Sequence, residues 1–319
     1  MKIVIGSKVS NKHIEKLEKV GQKSDVELNI IYSDNEEIIE KEIIDADALI
    51  IWDTTFKRKY VQKGQNLKWV QTLTAGIDNF LVPEIKESDI QLTSLKGIHG
   101  IPMSEHIFGM LLGTNRKLYQ IRENQRKKKW SRDIRVGEIY GKTLVILGLG
   151  HIGLEVAKRA KAFGMEVIGV KRSMAEVEYA DKIYTTEDRL KAIRQGDIIL
   201  SILPATKETY HLIDEKTFNN MKDNAILMNF GRGDVVNQAD LIDALQTQQI
   251  RGAILDVFEE EPLSEKSPLW EMKNVYISPH MSAMSNKYME RGFDIIVENL
   301  KHFINGEPMI NRVNFEAGY

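Results

Sequence analysis

Short apolar runs alternate with helix-length amphipathic stretches along almost the whole chain. In the first third, the apolar runs predict strands at Lys2–Ile5, Leu28–Ile31, Ala48–Trp52, Leu67–Thr72 and Ile90–Thr93. Amphipathic stretches between them, such as Asn11–Val20 and Asn35–Ile44, predict helices. This alternation is typical of βα units around a mostly parallel sheet.

A second series of strands begins at Thr143–Leu147. It continues, again with helical stretches between the strands, at Val167–Val170, Asp197–Leu203, Ala225–Asn229, Ala253–Asp256 and Val275–Ser278. Two separate series predict an α/β protein with two doubly wound parallel-sheet domains. The length of 319 residues agrees with this, because a domain has about 150 residues.

The stretch between the two series has a different pattern. Pro102 is well placed in the first turn of an apolar helix from Met103 to about Lys117. A charged segment, Arg122–Arg135, follows and sets a Lys/Arg run beside Trp130. Such a run could contact nucleic acid, but we favour a solvated arm because the rest of the chain is close to neutral. A last amphipathic helix is predicted at Asn286–Phe303.

Composition narrows the class of protein. Hydrophobic residues make up 42% and charged residues 28% of the chain, which is typical of a globular protein and excludes wholesale disorder. The formal net charge of −2 argues against a general nucleic-acid or anionic-membrane surface. The absence of cysteine excludes disulfides, a thiolate nucleophile and cysteine-ligated metals. No apolar run approaches a membrane span and none fits a signal peptide, so we expect a cytoplasmic protein.

A glycine-rich turn is the strongest local signal. The sequence Gly148-Leu149-Gly150-His151-Ile152-Gly153 joins the predicted strand Thr143–Leu147 to a predicted helix, and another strand follows. In that context it predicts a dinucleotide site. Gly148 would permit the tight turn, Gly150 the approach of a pyrophosphate and Gly153 close helix packing, with the phosphates on the N–H groups around His151 and Ile152. An ordinary strand-to-helix turn is the alternative.

The acidic residue that usually binds the ribose of NAD is missing. Lys171 stands at the end of the second strand of this unit, where Asp or Glu is expected, and Arg172 and Ser173 follow. Cations and a hydroxyl group would bind the 2′-phosphate of NADP, which a carboxylate would repel. The residues therefore predict NADP(H) as the preferred cofactor, with NAD(H) also possible. The alternative is three solvated loop residues.

Three motifs follow the glycine turn in order and carry a family resemblance. They are Asn229-Phe230-Gly231-Arg232-Gly233, then Asp256-Val257-Phe258 leading to Glu261-Pro262, then Ser278-Pro279-His280. This ordered set resembles the D-isomer-specific 2-hydroxyacid dehydrogenase family. Thr74-Ala75-Gly76-Ile77-Asp78 resembles the family's substrate loop, Ser104-Glu105-His106 the start of its interdomain helix, and Leu203-Pro204 with Thr209 its cofactor-side loop. The Lys-Arg-Ser at 171–173 resembles the NADP-using glyoxylate/hydroxypyruvate reductase and 2-ketoacid reductase branch.

The resemblance implies a domain layout. A flavodoxin-like catalytic domain would be discontinuous, built from residues 1–98 plus 286–319. A Rossmann cofactor domain, residues 99–285, would be inserted into it, with the active site in the cleft between the two. The long helix and the charged arm after it would build a homodimer.

The resemblance also implies residue roles. Arg232 would hold the carboxylate of a 2-keto acid and polarise its carbonyl group, and the backbone N–H groups of Ala75 and Gly76 would also hold the carboxylate. His280 would donate the proton in reduction and accept it in oxidation. Glu261 would accept a hydrogen bond from the other imidazole nitrogen, which fixes the tautomer and stabilises the imidazolium.

The cofactor side is implied in the same way. Asp256 and the backbone of Phe230 would hold the nicotinamide carboxamide, and Leu203, Pro204 and Thr209 would line the cofactor. Glu105 and His106 have no third ligand at metal spacing, so we expect no metal.

Each catalytic residue also has an ordinary interpretation. Arg232 could be a surface loop residue, Glu261 is one of three consecutive glutamates, and His280 could cap a turn. Their order and spacing in one chain favour the catalytic interpretation. The sequence therefore predicts an NADP-preferring D-2-hydroxyacid dehydrogenase that mainly reduces a small 2-keto acid.

Two other functions stay open. The same fold could act on phosphite, formate or a phosphorylated hydroxy acid, and Lys57, Arg58 and Lys59 could supply cations for a phosphate group. The scaffold could also be a dinucleotide-sensing binding module. Loss of the arginine, glutamate or histidine would favour that module, and all three residues are present.

Overall fold

Two parallel β-sheets make up the framework of the computed structural model, which describes residues 1–315. The chain divides into two compact units, one of Met1–Ile98 together with the chain from Ser285 onward, and one of His99–Met284. The predicted α/β class with two doubly wound parallel sheets is confirmed.

The first unit is built from five strands and the helices that connect them. Its strands are β1 (Lys2–Gly6), β2 (Asn29–Tyr32), β3 (Ala48–Ile51), β4 (Trp69–Thr72) and β5 (Gln91–Thr93), and its first helices are α1 (Asn11–Lys23), α2 (Glu36–Glu42), α3 (Arg58–Lys63) and α4 (Pro83–Lys86). The strand order is β2-β1-β3-β4-β5, which is the flavodoxin-like order. Strands β3 and β4 are buried along their whole length, as expected for parallel strands covered on both faces.

The second unit starts with two helices and continues as a seven-stranded sheet. Its elements are α5 (Gly100–Asn115), α6 (Leu118–Arg126), β6 (Thr143–Leu147), α7 (His151–Ala162), β7 (Glu166–Lys171), β8 (Lys182–Thr185), α8 (Arg189–Ile193), β9 (Ile198–Ser201), α9 (Glu215–Phe218), β10 (Ile226–Asn229), α10 (Gln238–Gln246), β11 (Gly252–Leu255) and β12 (Val275–Ile277). The order β12-β11-β10-β9-β6-β7-β8 is the Rossmann order with one further strand.

Two features of the second sheet differ from the sequence prediction. Strand β8 was not predicted, because this edge strand has no continuous apolar run and none of its residues is fully buried. The predicted strands that reached Leu203, Asp256 and Ser278 end earlier, at Ser201, Leu255 and Ile277. The residues after these strand ends leave the sheet and belong to the loops at its carboxyl edge.

The chain returns to the first unit through a long helix, α11 (Tyr288–Asn305), two residues later than predicted. A fully buried polar network fixes this helix to β4 and β5. The Asn299 side-chain amide donates to Gln71 Oε1 at 3.1 Å, and Thr93 Oγ1 donates to the same oxygen at 2.8 Å. Asn299 Oδ1 accepts the backbone N–H of Ile310 at 2.8 Å. Since buried polar groups need partners, this network specifies one docking position for α11.

The charged segment between α5 and β6 of the second unit is largely exposed. Helix α6 has no buried residue, and the Trp130 side chain that follows it is 92% exposed. None of the helices in residues 1–315 is long and apolar enough to cross a membrane.

Candidate active site

The loops after three neighbouring strands carry the three predicted catalytic residues. Arg232 follows β10, Glu261 follows β11 and His280 follows β12, and these strands lie side by side in the order β12-β11-β10. All three are parallel, so their carboxyl ends meet at one edge of the sheet. Binding sites in open α/β sheets lie at that edge.

His280 and Glu261 form a close pair. His280 Nδ1 lies 2.6 Å from Glu261 Oε2. The other carboxylate oxygen, Oε1, accepts the backbone N–H of Phe258 at 3.0 Å, so both oxygens of Glu261 are held. Because Nδ1 is engaged by the carboxylate, Nε2 is the nitrogen that remains for proton transfer. The His280 side chain is half exposed, which leaves it accessible to a ligand.

Asp256 holds the loop on which His280 lies. Its carboxylate is buried and accepts the Ser278 hydroxyl at 2.5 Å, the Met281 N–H at 3.1 Å and the Ser282 N–H at 3.1 Å. His280 itself has a φ of +49°, a left-handed backbone conformation that non-glycine residues adopt only when their surroundings impose it. The family resemblance implies that Asp256 holds the nicotinamide carboxamide. A carboxylate has about four lone-pair positions, so binding the carboxamide is compatible with holding the loop.

His106 supports the same loop from helix α5. Its Nε2 lies 3.1 Å from the Ser278 hydroxyl, and its ring packs edge-on against Phe230 with 6.0 Å between the ring centroids. The sequence contains no indication that His106 or Ser278 supports this loop. Only the tertiary contact identifies this chain of hydrogen bonds from His106 through Ser278 to Asp256.

The loop that carries Arg232 is fixed because its backbone packs closely against the backbone of the loop after β11. A Cβ atom on Gly233 would lie 1.8 Å from the carbonyl oxygen of Phe258, so only glycine allows this loop to touch the loop that leads to Glu261. The Asn229 side-chain amide donates to the Arg232 carbonyl oxygen at 3.0 Å. Arg232 is therefore held from both sides of the turn.

A buried histidine lies within electrostatic range of Arg232. His99 is 8% exposed, and burial together with the positive charge of Arg232 lowers its pKa from 6.5 to about 4. His99 is consequently uncharged at neutral pH.

The glycine-rich turn has the geometry that a dinucleotide requires. Gly148 has a φ of +101°, which glycine adopts without strain. A Cβ atom on Gly153 would lie 2.6 Å from the Gly148 carbonyl oxygen, whereas one on Gly150 would meet nothing within 4 Å. Gly150 thus borders open space at the start of α7, where His151 and Ile152 supply the first N–H groups of the helix. These residues fit a pyrophosphate.

The predicted ribose-phosphate residues lie at the end of β7. Lys171 is the last residue of the strand, and Arg172 and Ser173 are exposed in the loop that follows. Glu208, from the loop after β9, lies within electrostatic range of Arg172. A hydrogen bond with Thr206 lowers the pKa of the Glu208 carboxyl group, and the Arg172 charge adds to that effect. A carboxylate that was not predicted from the sequence therefore lies within electrostatic range of the proposed phosphate-binding cation.

Hydrogen bonds also shape the loop after β9. The Thr209 hydroxyl donates to the Pro204 carbonyl oxygen at 2.6 Å and accepts the Thr206 N–H at 2.8 Å. This bonding makes Thr209 a support of the loop that Leu203 and Pro204 begin. The Phe230 N–H donates to the Ser201 carbonyl oxygen at 3.0 Å, so the Phe230 carbonyl is the backbone group that remains for a carboxamide.

The predicted substrate loop follows β4 in the first unit. The Thr74 hydroxyl donates to the Gly76 carbonyl oxygen at 2.9 Å, and the Tyr288 hydroxyl donates to the Leu73 carbonyl oxygen at 2.9 Å. The loop is thus held at both ends. Within residues 1–315, the N–H groups of Ala75 and Gly76 have no acceptor, which suits them to an anionic ligand.

No cluster of three or more histidine, aspartate or glutamate side chains in the described chain has the arrangement of a metal site. The Glu105-His106 pair therefore has no third ligand among residues 1–315.

Comparison with known proteins gives a consistent set of similarities. Residues 108–282 match the model of the family described as D-isomer specific 2-hydroxyacid dehydrogenase, NAD binding domain. A glyoxylate reductase from Korarchaeum cryptofilum is 33% identical over 292 residues, which cover 89% of this chain and 87% of that protein. A D-3-phosphoglycerate dehydrogenase from Methanocaldococcus jannaschii is 34% identical over 98% of this chain, but the chain spans only 59% of that protein. A solved D-isomer specific 2-hydroxyacid dehydrogenase family protein from Aeromonas salmonicida has a TM-score of 0.87 and 37% identity, covering 98% of this chain and 99% of that one.

Two glycines of the turn should respond differently to alanine. We expect Gly150→Ala to leave the thermal unfolding midpoint nearly unchanged, because its Cβ would enter open space, yet to weaken NADPH binding at least tenfold by occupying the place of the pyrophosphate. Gly153→Ala is the matched control and should lower the unfolding midpoint, because its Cβ would meet a backbone oxygen at 2.6 Å. Differential scanning fluorimetry and fluorescence titration with NADPH measure the two effects. Unchanged NADPH affinity in Gly150→Ala would contradict the assignment.

His99 should make the protein less stable in acid. The pKa of its imidazole is about 4 in the folded protein and 6.5 in the unfolded chain, so the unfolded chain binds the proton more readily and stability falls as pH decreases from 6.5 toward 4. His99→Asn should remove this loss, which is on the order of 2 kcal/mol at pH 4.5. Urea unfolding at pH 7 and pH 4.5 measures it, with the exposed His151→Asn as the control. Parallel pH dependence in wild type and His99→Asn would show that His99 is not the group.

Proposed function

Because the chain belongs to the D-isomer-specific 2-hydroxyacid dehydrogenase family, a family of oxidoreductases, we propose that it reduces a small 2-keto acid to the D-2-hydroxy acid and catalyses the reverse reaction. The observation that carries this proposal is the arrangement at the edge of the second sheet. Arg232, Glu261 and His280 follow three adjacent parallel strands, and Nδ1 of His280 lies 2.6 Å from Glu261. A binding module would not need this pair.

Each side chain has a task in the proposed reduction. NAD(P)H, when bound at the glycine-rich turn, supplies the hydride. His280 Nε2 donates a proton to the carbonyl oxygen as negative charge develops there, and Glu261 stabilises the imidazolium before transfer. Arg232 attracts the carboxylate and polarises the carbonyl group. We assign the substrate carboxylate also to the N–H groups of Ala75 and Gly76.

We propose an unphosphorylated substrate, such as glyoxylate or hydroxypyruvate. The positive charges that could bind a phosphate group are already paired with carboxylates. Lys57 and Lys59 both pair with Glu36, and Arg58 Nε lies 2.6 and 2.7 Å from the two carboxylate oxygens of Glu84. A phosphate group would have to displace these carboxylates. This supports a glyoxylate-reductase-like substrate over a phosphoglycerate-like one.

A panel of keto acids tests the reaction. Wild-type protein mixed with NADPH and glyoxylate or hydroxypyruvate should consume NADPH, followed by its absorbance, and should turn over phosphohydroxypyruvate with a kcat/KM at least tenfold lower than hydroxypyruvate. His280→Ala should lose about 10²- to 10⁴-fold in kcat, the usual contribution of a general acid. His302→Ala, on helix α11, is the matched histidine control and should retain activity. The proposal fails if no keto acid is reduced, or if His280→Ala is as active as wild type.

We propose NADPH as the preferred cofactor because Lys171, Arg172 and Ser173 stand where a ribose-binding carboxylate is usual. Arg172→Ala should raise KM for NADPH about 10- to 100-fold, the effect of one lost charge-assisted hydrogen bond, and should change KM for NADH little. Glu208→Gln removes a negative charge within electrostatic range of Arg172 and should increase the preference for NADPH. Steady-state kinetics with both cofactors measures the effects. Equal changes for NADPH and NADH in Arg172→Ala would contradict the proposal.

We propose that the protein is a homodimer that buries the surface of α6 and the arm after it. Leu118, Ile121, Trp130 and Tyr140 are all exposed there, with the Tyr140 side chain at 77% and the Trp130 side chain at 92%. Such an apolar patch is typical of an interface. Light scattering at micromolar concentration should give the dimer mass, and Trp130→Glu combined with Ile121→Glu should shift it to the monomer. A monomer mass for wild type would refute the proposal.

The cytoplasmic location expected from the sequence stays a prediction.

A further inference from the structure

One histidine of helix α5 contacts both segments that the family resemblance assigns to the nicotinamide carboxamide. The His106 ring packs edge-on against Phe230, with 6.0 Å between the ring centroids, and its Nε2 lies 3.1 Å from the Ser278 hydroxyl. That hydroxyl donates to Asp256 Oδ1 at 2.5 Å. His106 therefore supports the Phe230 segment directly and the Asp256 carboxylate through Ser278. All four residues belong to the second unit.

The two hydrogen bonds of Ser278 determine which imidazole nitrogen carries the proton. A serine hydroxyl has one hydrogen to donate, and a carboxylate only accepts. Because the hydrogen of Ser278 goes to Asp256, the serine oxygen accepts from His106 Nε2. The chain of hydrogen bonds thus runs in one direction, from His106 through the hydroxyl to the carboxylate, and it requires a proton on Nε2.

The hydrogen bonds of Asp256 show which of its oxygens can accept another donor. Each carboxylate oxygen has about two lone-pair positions. Oδ1 accepts two bonds, from the Ser278 hydroxyl at 2.5 Å and from the Met281 N–H at 3.1 Å. Oδ2 accepts the Ser282 N–H at 3.1 Å. Within residues 1–315, one position on Oδ2 is therefore left for a further donor, such as the N–H of a carboxamide.

We propose that His106 is a positioning residue for the nicotinamide ring of the cofactor. By donating to Ser278, it keeps the hydroxyl on Oδ1 of Asp256, so that Oδ2 stays in place for the carboxamide. The inference rests on the proposed function, because it assigns His106 to the cofactor of the same reaction. His106 takes no part in proton transfer, which belongs to the His280–Glu261 pair.

Burial makes this chain sensitive to the loss of one donor. Ser278 and Asp256 are both buried, and buried polar groups depend on their protein partners. Without the Nε2–H of His106, the hydroxyl would lack a donor and could turn away from Oδ1, which would free the carboxylate to rotate. A less firmly held acceptor would orient the nicotinamide less accurately, and small displacements of reacting groups slow a reaction strongly.

A double-mutant cycle tests the proposal. His106→Phe keeps an aromatic ring against Phe230 but removes the donor, whereas His106→Gln keeps an N–H donor. Each is made with Ser278 and with Ser278→Ala. Three quantities are measured: kcat for glyoxylate with NADPH, the dissociation constant of NADPH, and the dissociation constant of 2′-phospho-ADP-ribose, which is the cofactor without its nicotinamide.

His106→Phe should lower kcat about tenfold or more, because the nicotinamide is less well placed for hydride transfer. It should raise the dissociation constant of NADPH about three- to tenfold, the effect of a weakened hydrogen bond, and leave that of 2′-phospho-ADP-ribose within about twofold of wild type. His106→Gln should stay within about threefold of wild type in all three quantities. With Ser278→Ala, His106→Phe should change kcat less than about twofold, because the group through which His106 acts is gone.

The protonated nitrogen of His106 supplies a test that needs no turnover. In protein labelled with ¹⁵N-histidine, long-range ¹H–¹⁵N correlation spectra show which ring nitrogen carries the proton, and the His106 signal is the one lost in His106→Phe. Nε2 should carry a proton at neutral pH in the protein without cofactor. An unprotonated Nε2 would overturn the proposal.

Equal weakening of NADPH and 2′-phospho-ADP-ribose in His106→Phe would show a role only in stability and overturn the proposal, as would an unchanged kcat. If His106→Phe does not fold, His106→Leu in both backgrounds decides by the same criteria. Failure of the proposed function looks different. The wild-type protein would then reduce no 2-keto acid, and the two dissociation constants would still decide the role of His106. Wild-type protein that bound no NADPH would overturn both.

Discussion

The loop that carries Arg232 and the loop that leads to Glu261 touch backbone to backbone at Gly233 and Phe258. A Cβ atom on Gly233 would lie 1.8 Å from the Phe258 carbonyl oxygen, and the Phe258 N–H holds Glu261 at 3.0 Å. One peptide segment therefore sets the distance between the two loops and the orientation of the carboxylate. Since Glu261 in turn bonds His280, the geometry of all three side chains depends on this contact. The parallel strand order makes it possible by ending β10, β11 and β12 at one edge.

The charges at this edge are few and separated by role. Glu261 lies against His280 Nδ1, and Asp256 accepts hydrogen bonds from the loop from Ser278 to Ser282. His99 is uncharged at neutral pH because burial and Arg232 lower its pKa to about 4. In the proposed reaction, Arg232 would bind the carboxylate of the 2-keto acid.

Much of the framework was predictable because it depends on local patterns. Apolar runs of four to seven residues located every strand of the first unit and all but one of the second. Gly148 and Gly153 could be assigned because the tight turn and the close helix packing demand glycine there. Strand β8 was missed because it lies at a half-exposed edge, where no apolar run is required. The contacts of His99, His106 and Glu208 could not be predicted, since each depends on a partner at least 36 residues away in sequence and no local pattern marks it.

The C-terminal helix shows that a local sequence pattern also does not predict which domain a helix packs against. An amphipathic pattern shows that α11 has one apolar face, but it does not state which sheet covers that face. The buried network of Asn299, Gln71 and Thr93 supplies the missing specificity, because an amide placed against any other apolar surface would lose its partners and pay the cost of burial. In the same unit, Tyr288 at the start of α11 donates to the carbonyl oxygen of Leu73, directly before the loop of Ala75 and Gly76. The helix that completes the first unit therefore also fixes the loop whose N–H groups are left for an anion.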